Sequence, residues 1–277
     1  MSVTLLTDFG TRDGYVGAMK GVIASRCPAA AIHDLTHEIP AGDIREGAFV
    51  LAAAAVHFPP GTIHVAVVDP GVGTDRRPLV VMAGGSYFVG PDNGLLSLAA
   101  AAAREASPEH RETVIRVLDR PAAFGRQVSA TFHGRDVFAP VAGSLAAGAD
   151  VADLGTVAGS MLTIELPRPV RVPGGDVTVV GEVLRVDRYG NLTTNLLLSD
   201  TGRDAPSASV EIGAVRVGSI RGTYGDVESG ELTALVGSDG RLEIAVRDGS
   251  AAERLGRDGR VGSPVRVTRS CESSDPS

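Results

Sequence analysis

Along the first half of the chain, apolar positions fall into two alternating spacings. Residues 3–7 form a short, largely apolar run that predicts a buried strand, residues 31–35 predict a second strand, and residues 62–68 give the clearest strand pattern of all. Between them, residues 15–26 place Val16, Met19, Val22 and Ile23 on one helical face, and residues 43–58 predict a second helix with Asp43 as its N-cap. Residues 78–83 and 86–89 flank Gly84-Gly85 as a hairpin would. Residues 95–104 read as a helix, 113–118 as a strand and 136–147 as a helix. Strand–helix alternation of this kind predicts a layered α/β sandwich over residues 1–165.

The pattern then changes. The stretch ELPRPVRVPGGD ends at residue 176, is dense in proline and glycine, and predicts a linker over residues 166–176. Beyond it come only short strand-like runs, at 177–186, 192–197, 209–217, 232–236, 241–246 and 265–268. Turn clusters such as Val236-Gly237-Ser238-Asp239-Gly240 separate them. A small all-β barrel over residues 177–270 is the expected architecture, with residues 271–277 a disordered tail.

Composition narrows the function. At 277 residues there is room for two cores, and the 21% charged content is that of a globular chain. A net charge of −7 leaves no broad cationic surface, so a nucleic-acid backbone is not the expected partner. Lys20 is the only lysine, and Cys27 and Cys271 are too few for a disulfide framework or a cysteine metal cluster. The start MSVTLLTDFG lacks the pattern of a secretion signal, and no apolar stretch is long enough to span a bilayer. A cytoplasmic protein is expected.

Four segments could carry chemistry. In VDPGVGTDRR, Asp69 falls where the clearest strand ends, and Arg76 follows after a glycine-rich turn. Ligands gather at the carboxyl ends of strands in α/β sheets. Asp69 is equally suited to capping the amides of its own turn. The lysine–hydroxyl pair of a phosphate-binding loop is missing. In TFHGRD, His133 stands before a glycine at a helix entrance, and its ordinary pKa suits proton traffic. The other five histidines fall within strand or helix patterns. His33 and His37 lack a carboxylate-rich partner set, so no metal is expected. Asp8 follows the first strand, where it could accept from the two hydroxyls of a ribose or cap the next segment. Asp187-Arg188-Tyr189-Gly190-Asn191 sets an acid, an aromatic and an amide on one turn. An amide offers a donor and an acceptor, matching the adenine amino group and N7, although a plain hairpin turn uses the same residues. Asn191-Leu192-Thr193 also matches a glycosylation sequon, a coincidence in a chain without a secretion signal.

Taken in order from Thr4 to Val267, the motifs TDFGTRDGYVG, VDPGVGTDRR, GPDNG, TFHGRDVFAP, DRYGNLTTN and GSDGRLEIAV resemble the S-adenosyl-L-methionine hydroxide adenosyltransferase family. Its relatives include the fluorinase and chlorinase enzymes. The resemblance implies hydrolysis of S-adenosyl-L-methionine (SAM) to adenosine and L-methionine, without a cofactor. It also implies a homotrimer, each substrate lying between one subunit's N-terminal domain and its neighbour's barrel. An Asp-Arg-His triad around the attacking water would fall on Asp69, Arg76 and His133, the motif spacing selecting Arg76 over Arg77. Asp8 would hold the ribose, Asn191 the adenine and Asp187 the methionine ammonium, with Tyr189 on the same turn. Phe132 and Tyr224 fall on aromatic positions of the pocket. Ser238 and the strand through Val246 would supply further contacts. Where the fluorinase follows its motif serine with an arginine, this chain has Asp239, which leaves the methionine carboxylate without that partner.

The implied chemistry is economical. A sulfonium is already a good leaving group, so the task is to make water nucleophilic and align it with C5′. A guanidinium favours hydroxide by charge, while Asp69 and His133 orient the water and take or pass on its proton. A halogenase of the same fold would lack the triad. A SAM or adenosine sensor would not need it. A nucleic-acid-binding barrel conflicts with the net charge.

Overall fold

The computed structural model describes residues 1–110, 112–174, 176–201 and 208–269. The chain divides into two compact units, Met1–Ile164 and Glu165–Ser277. The expected tail, with Cys271, lies outside the described residues.

The first unit runs β1 (Ser2–Thr7), α1 (Tyr15–Arg26), β2 (Ala31–Thr36), α2 (Ile44–Ala55), β3 (Ile63–Val67), β4 (Pro78–Ala83), β5 (Ser86–Pro91), α3 (Ser97–Ala106), β6 (Val114–Val117), α4 (Ala139–Ala146) and β7 (Thr156–Ala158). Among the described residues its strands form a seven-stranded sheet in the order β2-β1-β3-β5-β4-β6-β7. β1 is parallel to β2 and β3, and β3 to β5, whereas β4 is antiparallel to β5 and β6. Every residue of β3 is buried, as a strand covered on both faces requires. On one face Met19 and Ile23 of α1 and Val141 and Leu145 of α4 pack against Val3, Leu5, Val65 and Val89. On the other, Ala48 and Leu51 of α2 and Ala99 and Ala103 of α3 cover Leu6, Ala66, Val81 and Phe88. Each such leucine or isoleucine contributes about 1.5–3 kcal/mol on burial.

This order places a functional crevice. From β1 the chain crosses to β2 on one side and returns to β3 on the other. The carboxyl ends of β1 and β3 therefore flank a topological switch point, where α/β sheets bind ligands. Thr7 pairs with Val67, so Asp8 and Asp69 emerge side by side.

The helix predicted over 136–147 begins differently. Residues Gly134–Phe138 form a π turn that runs into α4. Pro140 has no N–H to give the carbonyl of Asp136, which accepts instead from Gly125 N at 2.8 Å. The wider turn sets His133 at the head of α4.

The second unit contains β8 (Val170–Val172), β9 (Val177–Val186), β10 (Leu192–Leu197), α5 (Leu198–Thr201), β11 (Ser209–Ile212), β12 (Val215–Arg221), β13 (Leu232–Val236), β14 (Arg241–Val246), α6 (Ala251–Leu255) and β15 (Pro264–Arg269). β9-β10-β14-β13-β12-β11-β15 close back onto β9, which removes the sheet edges, and β8 adds to β9 from outside. Val183, Leu192, Leu196, Val210, Ile244 and Val265 fill the interior. Two elements depart from the sequence pattern. The run at 209–217 is a hairpin broken at Gly213, whose φ of 54° suits glycine. β8 lies within the proline-rich stretch because Pro169 and Pro173 flank the strand and remove no ladder donor from it.

Candidate active site

At the crevice of the first unit lies a cavity of about 720 Å³, walled by Asp8, Asp69, Phe132, His133 and Arg135 among others. Asp8 accepts from Gly42 N through Oδ2 at 2.8 Å, which fixes its carboxylate at the end of β1. Phe9, Tyr15 and Phe132 meet edge to face, with Phe9–Phe132 centroids 5.9 Å apart, and form an aromatic wall.

Asp69 and His133 are joined through Arg76. The guanidinium donates to Asp69 from Nε at 3.0 Å to Oδ1 and from Nη2 at 2.5 Å to Oδ2, and from Nη2 to His133 Nδ1 at 2.6 Å. Arg76 and Asp69 side chains are only 10% and 5% exposed, so this pair is screened little by solvent. Behind it, Phe138 lies 5.4 Å from the guanidinium carbon. Burial first, and then the Arg76 charge, hold His133 below the usual histidine range, against the opposing pull of Asp69 and Asp136. An arginine only donates, so Nδ1 must accept, and the neutral ring carries its proton on Nε2.

The glycine-rich turn explains how these residues meet. Gly73 has φ 78°, and a Cβ there would strike the carbonyl oxygen of Ala130. Only glycine lets the loop after β3 press against the segment leading to His133. Arg77 points elsewhere. It pairs with Asp92 at 2.5 Å and reaches the Ser160 carbonyl at 2.9 Å.

Several contributing residues were not singled out by the sequence reading. Asn93 donates to the Val68 carbonyl at 2.8 Å, and Asp92 accepts from both Arg77 and Leu162 N. The β5–α3 turn thus anchors both ends of the loop that carries Asp69 and Arg76. The GPDNG motif was the available signal. Arg135 stacks over Phe132 at 4.9 Å while paired with Asp136 at 2.6 Å. Burial alone would push Asp136 up, but Arg135 and the Ser129 N–H hold it below the ordinary value.

The remaining candidates fall on the barrel unit. A cavity of about 490 Å³ is lined by Tyr189, Asn191, Tyr224, Val246 and Asp248, with Arg247 and Gly249. Asp187 stands behind this wall and accepts from Tyr189 N, Asn191 N and Asn191 Nδ2. Tyr224 donates to Glu243 at 2.6 Å, an acid the sequence reading passed over inside the β14 pattern. Burial raises the pKa of both Tyr224 and Glu243. Ser238 lies in the exposed turn between β13 and β14, apart from this wall.

His37 accepts or donates at Thr7 Oγ1 and has Asp34 3.0 Å away, while His33 lies against Phe58. Among the described residues no three acidic, histidine or cysteine side chains converge as a metal site requires. No helix of the described residues is long and apolar enough to cross a membrane.

Residues 3–155 match the SAM hydroxide adenosyltransferase N-terminal domain, and residues 181–265 match its C-terminal domain. An (R)-S-adenosyl-L-methionine hydrolase of Salinispora tropica is 43% identical over 96% of this chain and 97% of its own. A fluorinase of Actinoplanes sp. is more distant, at 26% over 72% of each chain. Among solved structures, an uncharacterized conserved protein from Thermotoga maritima superposes with a TM-score of 0.82 at 34% identity, covering 96% of this chain and 99% of that one.

Proposed function

Because the chain belongs to the SAM hydroxide adenosyltransferase family, we propose that it hydrolyses SAM to adenosine and L-methionine. The observation that carries this reading is the Arg76 bridge between Asp69 and His133 at a cavity that also holds Asp8. Water attacks C5′ in line with the sulfonium. The C5′–O bond forms as the C5′–S bond breaks, and the electron pair leaves with sulfur as the neutral thioether of methionine. The water proton is lost in the same process.

The side chains divide this work. Arg76 sits behind the cavity wall and favours hydroxide over water by its charge. His133, with its proton on Nε2, donates a hydrogen bond to the attacking oxygen. Asp69 lines the cavity, and its remaining lone pairs take the water proton. The arginine fork holds both partners in a fixed relation, so little reorganisation accompanies attack. Asp8 holds the ribose hydroxyls, Phe132 adds apolar wall, and exclusion of bulk water strengthens each interaction. No cofactor is needed, because the leaving group is built into the substrate.

Asn191, Tyr189, Tyr224, Val246 and Ser238 would meet the adenosine or methionine portions from the barrel. We place the reaction in the cytoplasm, in a homotrimer whose N-terminal unit and neighbouring barrel share each substrate. The family resemblance supports that arrangement, and so does the division of the candidate residues between two units.

Incubation of the purified protein with SAM in chloride and in fluoride buffers tests the activity. Equimolar adenosine and methionine in both is the expected result. A 5′-halogenated nucleoside would overturn it in favour of a halogenase, and binding without turnover in favour of a sensor.

A further inference from the structure

His37 stands immediately beyond β2 and meets the end of β1 from the side. β2 has one residue more than β1 at this point, since Leu5 pairs with Asp34 and Leu6 with Thr36. This bulge re-aims the chain and brings the His37 ring against Thr7, with His37 5% exposed and Thr7 fully buried. Thr7 Oγ1 accepts from Phe9 N at 3.2 Å, so its own hydrogen is free for His37 Nδ1, 2.9 Å away. The ring then carries its proton on Nε2. Asp34 selects the same tautomer by charge: its Oδ1 lies 3.0 Å from Nε2, too oblique for a hydrogen bond, and a bare nitrogen there would face a carboxylate. Asp34 is itself held from α1, accepting at Oδ2 from Lys20 Nζ at 2.6 Å. The backbone adds a second brace, because the His37 carbonyl accepts from Gly10 N at 2.8 Å.

We infer that His37 is a positioning residue for Asp8, holding that carboxylate where it receives the two hydroxyls of a ribose. This deepens the proposed function and rests on its placement of the ribose at Asp8. His37 grips the chain on both sides of Asp8, through the Thr7 hydroxyl before it and the Gly10 amide after it. The Thr7 hydroxyl carries the ring's hold onward to Phe9 N, and the Phe9 ring belongs to the aromatic wall of the same cavity. Gly42 N then fixes Asp8 Oδ2 at 2.8 Å. A carboxylate whose backbone is already ordered loses little freedom when a ligand arrives, so its hydrogen bonds appear in full as affinity. Removing the ring leaves a buried threonine hydroxyl without its partner and the loop held by its backbone alone.

Calorimetric titration with adenosine and with 2′,3′-dideoxyadenosine tests this, because the ratio of the two affinities isolates the ribose hydroxyls. Wild-type protein should prefer adenosine by about 10–100-fold, as hydrogen bonds to a charged group imply. Folded Thr7→Val and His37→Leu proteins should each lose about 3–10-fold of that preference. His37→Asn, which puts an acceptor close to the place of Nδ1, should restore most of it. A merely structural role would lower the competent fraction of protein and weaken both nucleosides equally, leaving the ratio unchanged. An unchanged ratio in folded Thr7→Val or His37→Leu protein therefore overturns the inference alone, as does a His37→Asn protein no better than His37→Leu. Wild-type protein that binds the two nucleosides equally removes the ribose from Asp8, and wild-type protein that binds neither overturns the functional reading itself.

Discussion

Arg76 donates through Nη2 to Nδ1 of His133 at 2.6 Å, which leaves the neutral imidazole one place for its proton. The same nitrogen lies 2.5 Å from Asp69, so one guanidinium sets the position of both cavity-lining partners. A lysine has the charge without the fork. Arg76→Lys should lower kcat by roughly 10²–10³-fold with KM changed by less than about threefold. Steady-state kinetics with SAM checks this. A lysine variant close to wild-type turnover would show that charge suffices and geometry does not matter.

The pH dependence follows from the direction in which His133 is displaced. Burial and the Arg76 charge favour the neutral ring, so its pKa lies below the ordinary 6.5. The neutral ring is the working form, and protonation at Nδ1 would oppose Arg76. kcat/KM should therefore stay level as pH falls from 8 to about 6.5 and decline only below that. His133→Gln, which keeps a donor but does not titrate there, should lose this acid limb along with most of its turnover. An acid limb centred above 6.5 would contradict the assignment.

A second histidine bears on stability. His64 is fully buried in β3, its Nδ1 2.8 Å from Thr4 Oγ1 and its ring stacked on Phe88. Burial lowers its pKa from 6.5 to about 4. The folded state thus binds this proton less readily than the unfolded chain. Stability is complete above pH 6.5, is lost as pH falls from 6.5 to about 4, and levels off below. The loss from this residue is at most roughly 3 kcal/mol. Denaturant unfolding of wild type and His64→Gln at pH 7 and pH 4 measures it. A substantially smaller acid loss in the variant is expected, and equal losses in the two proteins would be evidence against it.

Much of this site was legible from residue patterns. Asp8 and Asp69 could be found because each follows an apolar strand run, and strand ends at a switch point are where α/β sheets bind. The choice of Arg76 over Arg77 came from motif spacing, and the structure shows the physical difference: Arg77 is occupied by Asp92 and Ser160. Asn93 and Asp92 escaped notice as anchors because their partners, Val68 O and Leu162 N, are backbone atoms far along the chain. Glu243 was hidden for another reason. It sits in an alternating strand pattern, and only the fold brings it to Tyr224. The π turn at Gly134–Phe138 depends on Pro140 and Gly125 together, a pairing that helical periodicity does not encode.

A shared site in the proposed trimer can be tested by mixing inactive subunits. His133→Ala removes a group on the first unit, and Asn191→Ala removes one on the barrel. Co-assembled from denatured or co-expressed chains, the two variants should regain activity, because some interfaces then combine an intact N-terminal unit with an intact barrel. Statistical mixing puts the recovery at about one quarter of wild type at most for equal amounts of each subunit. Mixed oligomers with no more activity than either variant alone would mean that each chain forms its own complete site.

The identity of the nucleophile is the central claim, and isotope transfer reads it directly. Turnover of SAM in oxygen-18 water, followed by mass spectrometry of the nucleoside, should place one label in adenosine at the 5′-hydroxyl and none in methionine. Adenosine formed without label would contradict attack by water at C5′, as would label appearing in the amino acid product.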